Sequence, residues 1–444
     1  MVRLTPTRLL CAAVAVSVFL LFSLVSKLFF GARGYDLEAL QERPPPAHAR
    51  PATPDPPFGE ECSPFKGGAM EDVSIVLRMG AAEAANKLPG YLNRLGRCKQ
   101  DLLLFSDRSA DINGFDVVDA LANLRPEYRY NNPDFDVYDR IQLANTTEEK
   151  AIDGWRLDKY KFLPMMELTA HMRPESQWFV FLELETYVNW DNLYRFLSKF
   201  DPETPHYFGA PVWPPKKTVF GQSASGFVLS RGALDKLMAR GRMFAENQQS
   251  PGTHMFGKDV SQGCCGDEVL AQVLKESGVP IRGYWPMFNG ERPTSTHYGY
   301  EQWCEAVITL QQEEDLIGFQ RWEEARPHPA RPLTFEELFT FMEHALQDRR
   351  DDWSNLSNDI VFHKGQRAAK SYENCLNACT NDKKCIQFEH TSDSCKLSHS
   401  IRLGYHLGPN GDYRWTSGWL MDRVRAFKAT HSPCQGAHFV HANP

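Results

Sequence analysis

From about residue 62 onward, short apolar runs with strand character alternate with segments whose apolar residues recur at helical spacing. Residues 74–77 and 102–105 read as buried strands, while Leu193, Phe196, Leu197 and Phe200 fall on one face of a helix. Alternation of this kind predicts an α/β domain with a mixed, largely parallel sheet. The run WFVFL at 178–182 is apolar on both faces and is expected at the centre of that sheet. It continues into Glu183-Leu184-Glu185-Thr186, and a strand period of two would point both glutamates to one face. Ligand sites of open α/β sheets lie beyond the carboxyl ends of the strands, so a carboxylate pair is expected to matter there. Farther on, Thr334 and Glu337 form a capping box ahead of Phe335, Leu338, Phe339, Met342 and Leu346, a core-facing helix that closes the large domain.

The N-terminal pattern differs. Residues 9–26, LLCAAVAVSVFLLFSLVS, carry no charge, and the apolar character resumes after Lys27 with Leu28, Phe29 and Phe30. About 20 residues rising 1.5 Å each cross a bilayer core, whereas the apolar region of a cleaved signal peptide is shorter, about 7 to 15 residues. An uncleaved signal anchor is therefore expected at 9–30, with residues 1–8 as a cytoplasmic tail. Arg3 and Arg8 before the segment are matched by Lys27 and Arg33 after it, so local charge does not orient it. Cysteines do. Of eleven, Cys11 lies in the apolar segment and ten follow it: Cys62, Cys98, Cys264, Cys265, Cys304, Cys375, Cys379, Cys385, Cys395 and Cys434. The crowding of four between 375 and 395 is the pattern of a disulfide-stapled module, which places the body in an oxidising lumen. The N-glycosylation sequons at Asn145 and Asn355 agree with that side. The proline-rich stretch RPPPAHARPATPDPPF reads as a semi-extended stem within 31–60. The division expected is a large domain over 61–360 and a small one with its tail over 366–430.

At 444 residues, 42% of them hydrophobic, the chain is long enough for two or more packed domains. A formal net charge of −7 supplies no basic field for phosphate backbones and argues against nucleic acid as a partner. No G-x-S-x-G elbow and no G-x-x-x-x-G-K-[ST] loop occurs, so neither a serine hydrolase of that class nor a P-loop NTPase is supported.

The candidate residues each carry two readings. Glu183 and Glu185 are either oxygen ligands for a divalent cation or two solvated acids at a strand end. Asp267, at the start of a helix after CCG, is either a catalytic carboxylate or an N-cap. The helix dipole would favour its ionised form and weaken it as a proton acceptor. Asp107, ending the strand LLLFSD, suits a nucleotide contact or a turn. Lys159 and Lys161 face phosphates or solvent. Vicinal Cys264 and Cys265 lack a partner pair at zinc-finger spacing, and a disulfide from one of them to Cys304 is the stronger expectation.

Taken in order, LLLFSD, GWRLDKYKF, WFVFLELETYVNWDNL, YFGAP, ASGFVLSRGAL, CCGDEVL and DWSNLS make residues 62–358 resemble a fungal Fringe-like glycosyltransferase of glycosyltransferase family 31. The resemblance implies a GT-A-like nucleotide-sugar-binding domain in a Golgi type II membrane protein. It further implies a UDP-sugar donor, a glycan or glycoprotein acceptor, Mn2+ or another divalent cation, and inversion to a β1,3-type linkage. It puts Glu185, with Glu183, at the metal, Asp267 at the base, and Asp107, Lys161, Glu183, Ser225 and Gly226 beside the donor. Three segments depart from the family pattern: Glu185 stands where aspartate is usual, Gln222-Ser223-Ala224 where a His-Gly-Gly type sequence is usual, and Gln311-Gln312 where a histidine pair is usual. A catalytically impaired relative that binds glycans is the alternative function. Residues 371–404 resemble a PAN/apple domain, a small disulfide-rich α+β module, and Cys379–Cys385 nested within Cys375–Cys395 is the expected pairing. Trp415 and Trp419 either line a sugar site or pack the tail against the large domain.

Overall fold

In the computed structural model the described residues are 70, 72–95, 102–124, 129–143, 154–215, 217–246, 254–312, 314–327 and 331–443. The expected anchor and stem, Cys62, Cys98 and the Asn145 sequon lie outside them. Among the described residues no helix is long and apolar enough to cross a membrane.

The large part is built on an eight-stranded sheet. Its order is Arg282–Gly283, Tyr207–Gly209, Phe227–Ser230, Trp178–Glu183, Val73–Arg78, Leu102–Ser106, Phe115–Asp119 and Ala110–Ile112. Val73–Arg78 pairs in parallel with both Trp178–Glu183 and Leu102–Ser106, and Phe227–Ser230 runs antiparallel beside Trp178–Glu183. The WFVFL run is thus central, as its two-faced apolarity predicts. Phe179 and Phe181 enter one core, under helices Pro133–Leu143, Asp158–Met172, Arg231–Glu246 and Gly266–Glu276. Val180 and Leu182 enter the other, under Ala81–Leu95 and Trp190–Leu197. Period-two alternation lets one strand hold two helical layers.

The strand ends at Glu183, and Leu184 and Glu185 form a turn before the short strand Thr186–Val188. Strand periodicity therefore does not carry through to Glu185, and the expectation of two glutamates sharing a strand face is not met.

The C-terminal part is a five-stranded antiparallel sheet in the order Arg349–Asp351, Trp415–Trp419, Gln387–Thr391, Ser394–Ser398, Ile360–His363, with helix Tyr372–Asn381 against it. Ser371 caps that helix by accepting from the Asn374 N–H. Cys375–Cys395 and Cys379–Cys385 pair as expected and sit in a small core with Phe388 and Leu397. Two of the sheet's strands, Arg349–Asp351 and Ile360–His363, begin before residue 366.

The two parts share a third core in which Trp303, Phe335, Phe339 and Met342 meet Ile386, Ile401, Trp419 and Val424. Trp419 is buried there and donates its indole N–H to the Arg402 carbonyl at 2.9 Å, so it packs the tail rather than lining a site. Thr334 caps helix Phe335–Glu343 through the Glu337 N–H, while the Glu337 carboxylate accepts from Arg326 instead of completing the box. Cys304 pairs with Cys434 across this seam, not with Cys264 or Cys265, which bond to each other.

Asn355 corrects a further expectation. Its side chain is fully buried, donating to the Phe388 and Gly418 carbonyls at 3.1 and 3.4 Å. A glycan on that nitrogen is incompatible with this packing.

Candidate functional site

The parallel register of the two central strands sets Arg78 directly beside Glu183 at their carboxyl ends. The two form an ion pair, and the guanidinium also lies 3.3 Å from Asp158 and 4.6 Å above the Phe162 ring. Burial alone would lower the Arg78 pKa, but Glu183 and Asp158 hold it above its ordinary value. Asp158 opens helix Asp158–Met172 and contacts Lys161 at 2.7 Å one turn on. Burial raises the Asp158 carboxyl, and Lys161 and Arg78 more than offset this, so its pKa lies below the usual carboxylate range.

Arg78, Asp158, Phe162 and Glu183 line a cavity of about 420 Å³ that also receives Trp155, Ser223 and Asp267. Asp267 reaches it from the first turn of helix Gly266–Glu276, whose N-cap is Cys265 rather than Asp267. The helix packs tightly enough that a Cβ on Gly266 would run into the Phe162 ring. Asp267 Oδ2 accepts from the Ser223 N–H and hydroxyl, each at 3.4 Å, and Oδ1 from the Glu268 N–H at 2.9 Å. Burial raises the Asp267 pKa, with the backbone donors of Ser223 and Glu268 pulling the other way. Desolvation outweighs these donors, so Asp267 is a better proton acceptor than a solvated aspartate.

The remaining candidates divide clearly. Asp107 and Lys161 are fully buried and joined at 3.1 Å, outside the cavity lining. Asp107 Oδ1 also accepts from the Ala81 N–H at the start of helix Ala81–Leu95, and Lys161 donates to the Met79 carbonyl. Burial would lower the Lys161 pKa, but Asp158 and Asp107 raise it above its ordinary value. Together they brace the strand ends on which Arg78 sits. Lys159 lies at the rim, 3.4 Å from Asp134. Ser225 is buried, its hydroxyl bound to the Gln222 carbonyl. Gly226 has φ +69°, and a Cβ there would lie 2.9 Å from Leu182. Both shape the turn, while Ser223 of that turn reaches Asp267.

Glu185 lies apart from the cavity lining. Its carboxylate accepts from Lys87 at 2.6 Å and from the Gln311 amide at 3.4 Å, and its carbonyl from the Gln312 N–H. The Lys87 hydrogen bond depresses the Glu185 pKa. Strand Thr309–Gln311 pairs with Thr186–Val188, which is what brings Gln311 to this glutamate. Among the described residues, the one trio of acidic, histidine or cysteine side chains with converging ligand atoms is Cys264, Cys265 and Glu268.

Sequence reasoning passed over Arg78, Asp158 and Trp155, and it noted Ser223 only as a departure from the family pattern. The signal for Arg78 was a lone charge closing the buried strand VSIVLR. Trp155 and Asp158 lay inside a motif noted only for its lysines.

No family model matches the chain. Among solved structures, it is similar to the crystal structure of a glycosyltransferase involved in the glycosylation of the major capsid of PBCV-1, at 11% identity and a TM-score of 0.24. The match covers 54% of this chain and 93% of that one. A likeness at that TM-score assigns neither fold nor activity.

Proposed function

We propose that the chain is an inverting glycosyltransferase with Asp267 as its base. The observation that carries this reading is a carboxylate of raised pKa, held by Ser223 in a cavity at the carboxyl end of an α/β sheet. Asp267 takes the proton of an acceptor hydroxyl as that oxygen attacks the anomeric carbon of a UDP-sugar, and the bond to the diphosphate breaks with its electron pair leaving on UDP. Inversion follows from the single in-line displacement, and the family resemblance suggests a hexose or N-acetylhexosamine in β1,3 linkage. The four disulfides among the described residues support an oxidising compartment. Together with the apolar segment at 9–30 they favour a Golgi type II membrane protein.

The acidic motif does not fit the divalent cation that the family implies. The Glu183 carboxylate is paired with Arg78, and both oxygens of Glu185 are engaged, by Lys87 and Gln311. An ion there would have to displace an ammonium group, and Gln311 is a poor substitute for an imidazole ligand. No step is assigned to Mn2+.

The same observation favours a second reading, glycan recognition without turnover. The test is UDP release by the full chain from a panel of UDP-hexoses and UDP-N-acetylhexosamines with saccharide acceptors, compared with Asp267→Asn. Release that the substitution abolishes upholds the transferase; no release from any donor, with or without manganese, leaves the binding reading.

A further inference from the structure

The cavity beside Asp267 is built unlike a diphosphate site. Three cations line it, Arg78, Arg156 and Lys159, against four carboxylates, Asp134, Asp158, Glu183 and Asp267. Each cation already has an acidic partner: Arg78 has Glu183 and Asp158, and both Arg156 and Lys159 have Asp134. An anionic ligand entering here would meet a formal excess of negative charge and would compete with ion pairs already formed. A neutral polyol faces no such penalty, because carboxylates accept from hydroxyl groups and the guanidinium donates to them.

The wall facing solvent is of another kind. Trp155 lines the cavity yet is 72% exposed, and its indole makes no hydrogen bond or ring contact with the described residues. The short helix Gly154–Leu157 that carries it is fixed immediately after Trp155, by the Arg156–Asp134 pair at 2.9 Å and by fully buried Leu157. The Cys264–Cys265 disulfide adds a second apolar surface to the lining. An exposed aromatic ring sharing a cavity lining with carboxylates is complementary to a pyranose, whose C–H face is apolar and whose rim is hydroxyl groups.

We propose that this cavity is the subsite for a neutral pyranose of the acceptor glycan, with Trp155 as its stacking platform, and that the diphosphate of the donor binds elsewhere. The assignment rests on the glycosyl-transfer reading for the word acceptor, but its binding chemistry stands apart from turnover. It places the acceptor hydroxyl against Asp267, and it makes Trp155 a specificity-determining residue.

The test is calorimetric and saturation-transfer titration of neutral methyl β-hexopyranosides and β-linked disaccharides into the full chain. Trp155→Ala should weaken binding about tenfold, and Trp155→Phe, which keeps a ring, should restore most of it. UDP at saturating concentration should not displace the saccharide. Failure of the whole panel to bind, binding indifferent to Trp155, or displacement by UDP would each overturn the proposal. Trp155-dependent binding in a chain that releases no UDP would sink the transferase reading and leave this one standing.

Discussion

Polar side chains gather in two places, at the carboxyl ends of the eight-stranded sheet and inside the five-stranded sheet, and the two gatherings are opposites. In the first, charged groups surround an open cavity, and Asp267 is held by a single serine on one oxygen. In the second, amides, hydroxyls and the buried Glu389 carboxylate, itself paired with Lys396 at 2.9 Å, bond to one another. Asn355 donates to two carbonyls and accepts from the Ser357 hydroxyl at 2.8 Å. Gln387 donates to the Asn355 carbonyl at 2.7 Å and accepts from the Arg402 N–H at the same distance. Polar groups saturated by their own chain fix architecture; polar groups left facing a space are available to a ligand.

The sharpest way to break this contrast is Asp267→Asn. It should reduce transfer by about 10²- to 10⁴-fold while leaving the unfolding midpoint nearly unchanged. In the wild type, the raised pKa predicts an acid limb of the rate profile lying above the ordinary aspartate value, because the base must be ionised to act. A limb at the ordinary aspartate value would count against the assignment.

Asn355→Ala should do the reverse. Removal of an amide that serves several buried partners is expected to cost about 2 to 4 kcal/mol in chemical denaturation, with saccharide affinity unaltered in the molecules that remain folded. The wild-type protein should also show no enzymatically removable glycan at Asn355; a glycopeptide there would contradict the buried packing.

Glu305 tests the seam between the two parts. Burial pushes its pKa up to about 7, with His438 of the tail 3.9 Å away. A carboxyl raised in the folded state is stabilising below its unfolded pKa, and that advantage is lost as pH rises through the folded value. Glu305→Gln should therefore stabilise the chain on the order of 2 kcal/mol near pH 8 and leave it unchanged near pH 4. An equal effect at both pH values would show that the substitution acts through packing. The smallest change expected is Thr334→Ala, about 1 kcal/mol for one lost helix cap, without effect on binding.

Much of this was legible along the chain. Apolar runs of strand length located the central strands, and helical spacing located Trp190–Leu197 and Phe335–Glu343, while the nested pair of disulfides, one of three pairings the spacing allows, was expected with the PAN/apple resemblance. These features are local. The alternation of side chains on a strand or the three-to-four residue spacing on a helix is fixed by backbone geometry before any tertiary contact forms.

What the sequence alone could not decide was which distant groups meet. Arg78 and Glu183 are neighbours because two strands pair in parallel at one register, 105 residues apart. Cys304 finds Cys434 because the tail folds back over the shared core, and Asn355 is buried because a sheet closes around it. Asp267 is raised by burial against the opposing pull of the Ser223 and Glu268 backbone donors, and that burial depends on what the tertiary fold packs around the first turn of helix Gly266–Glu276, where Phe162 closes on Gly266. Periodicity fixes where a side chain points within its own element, while its partner, its solvation and hence its chemistry depend on what the rest of the chain places across from it.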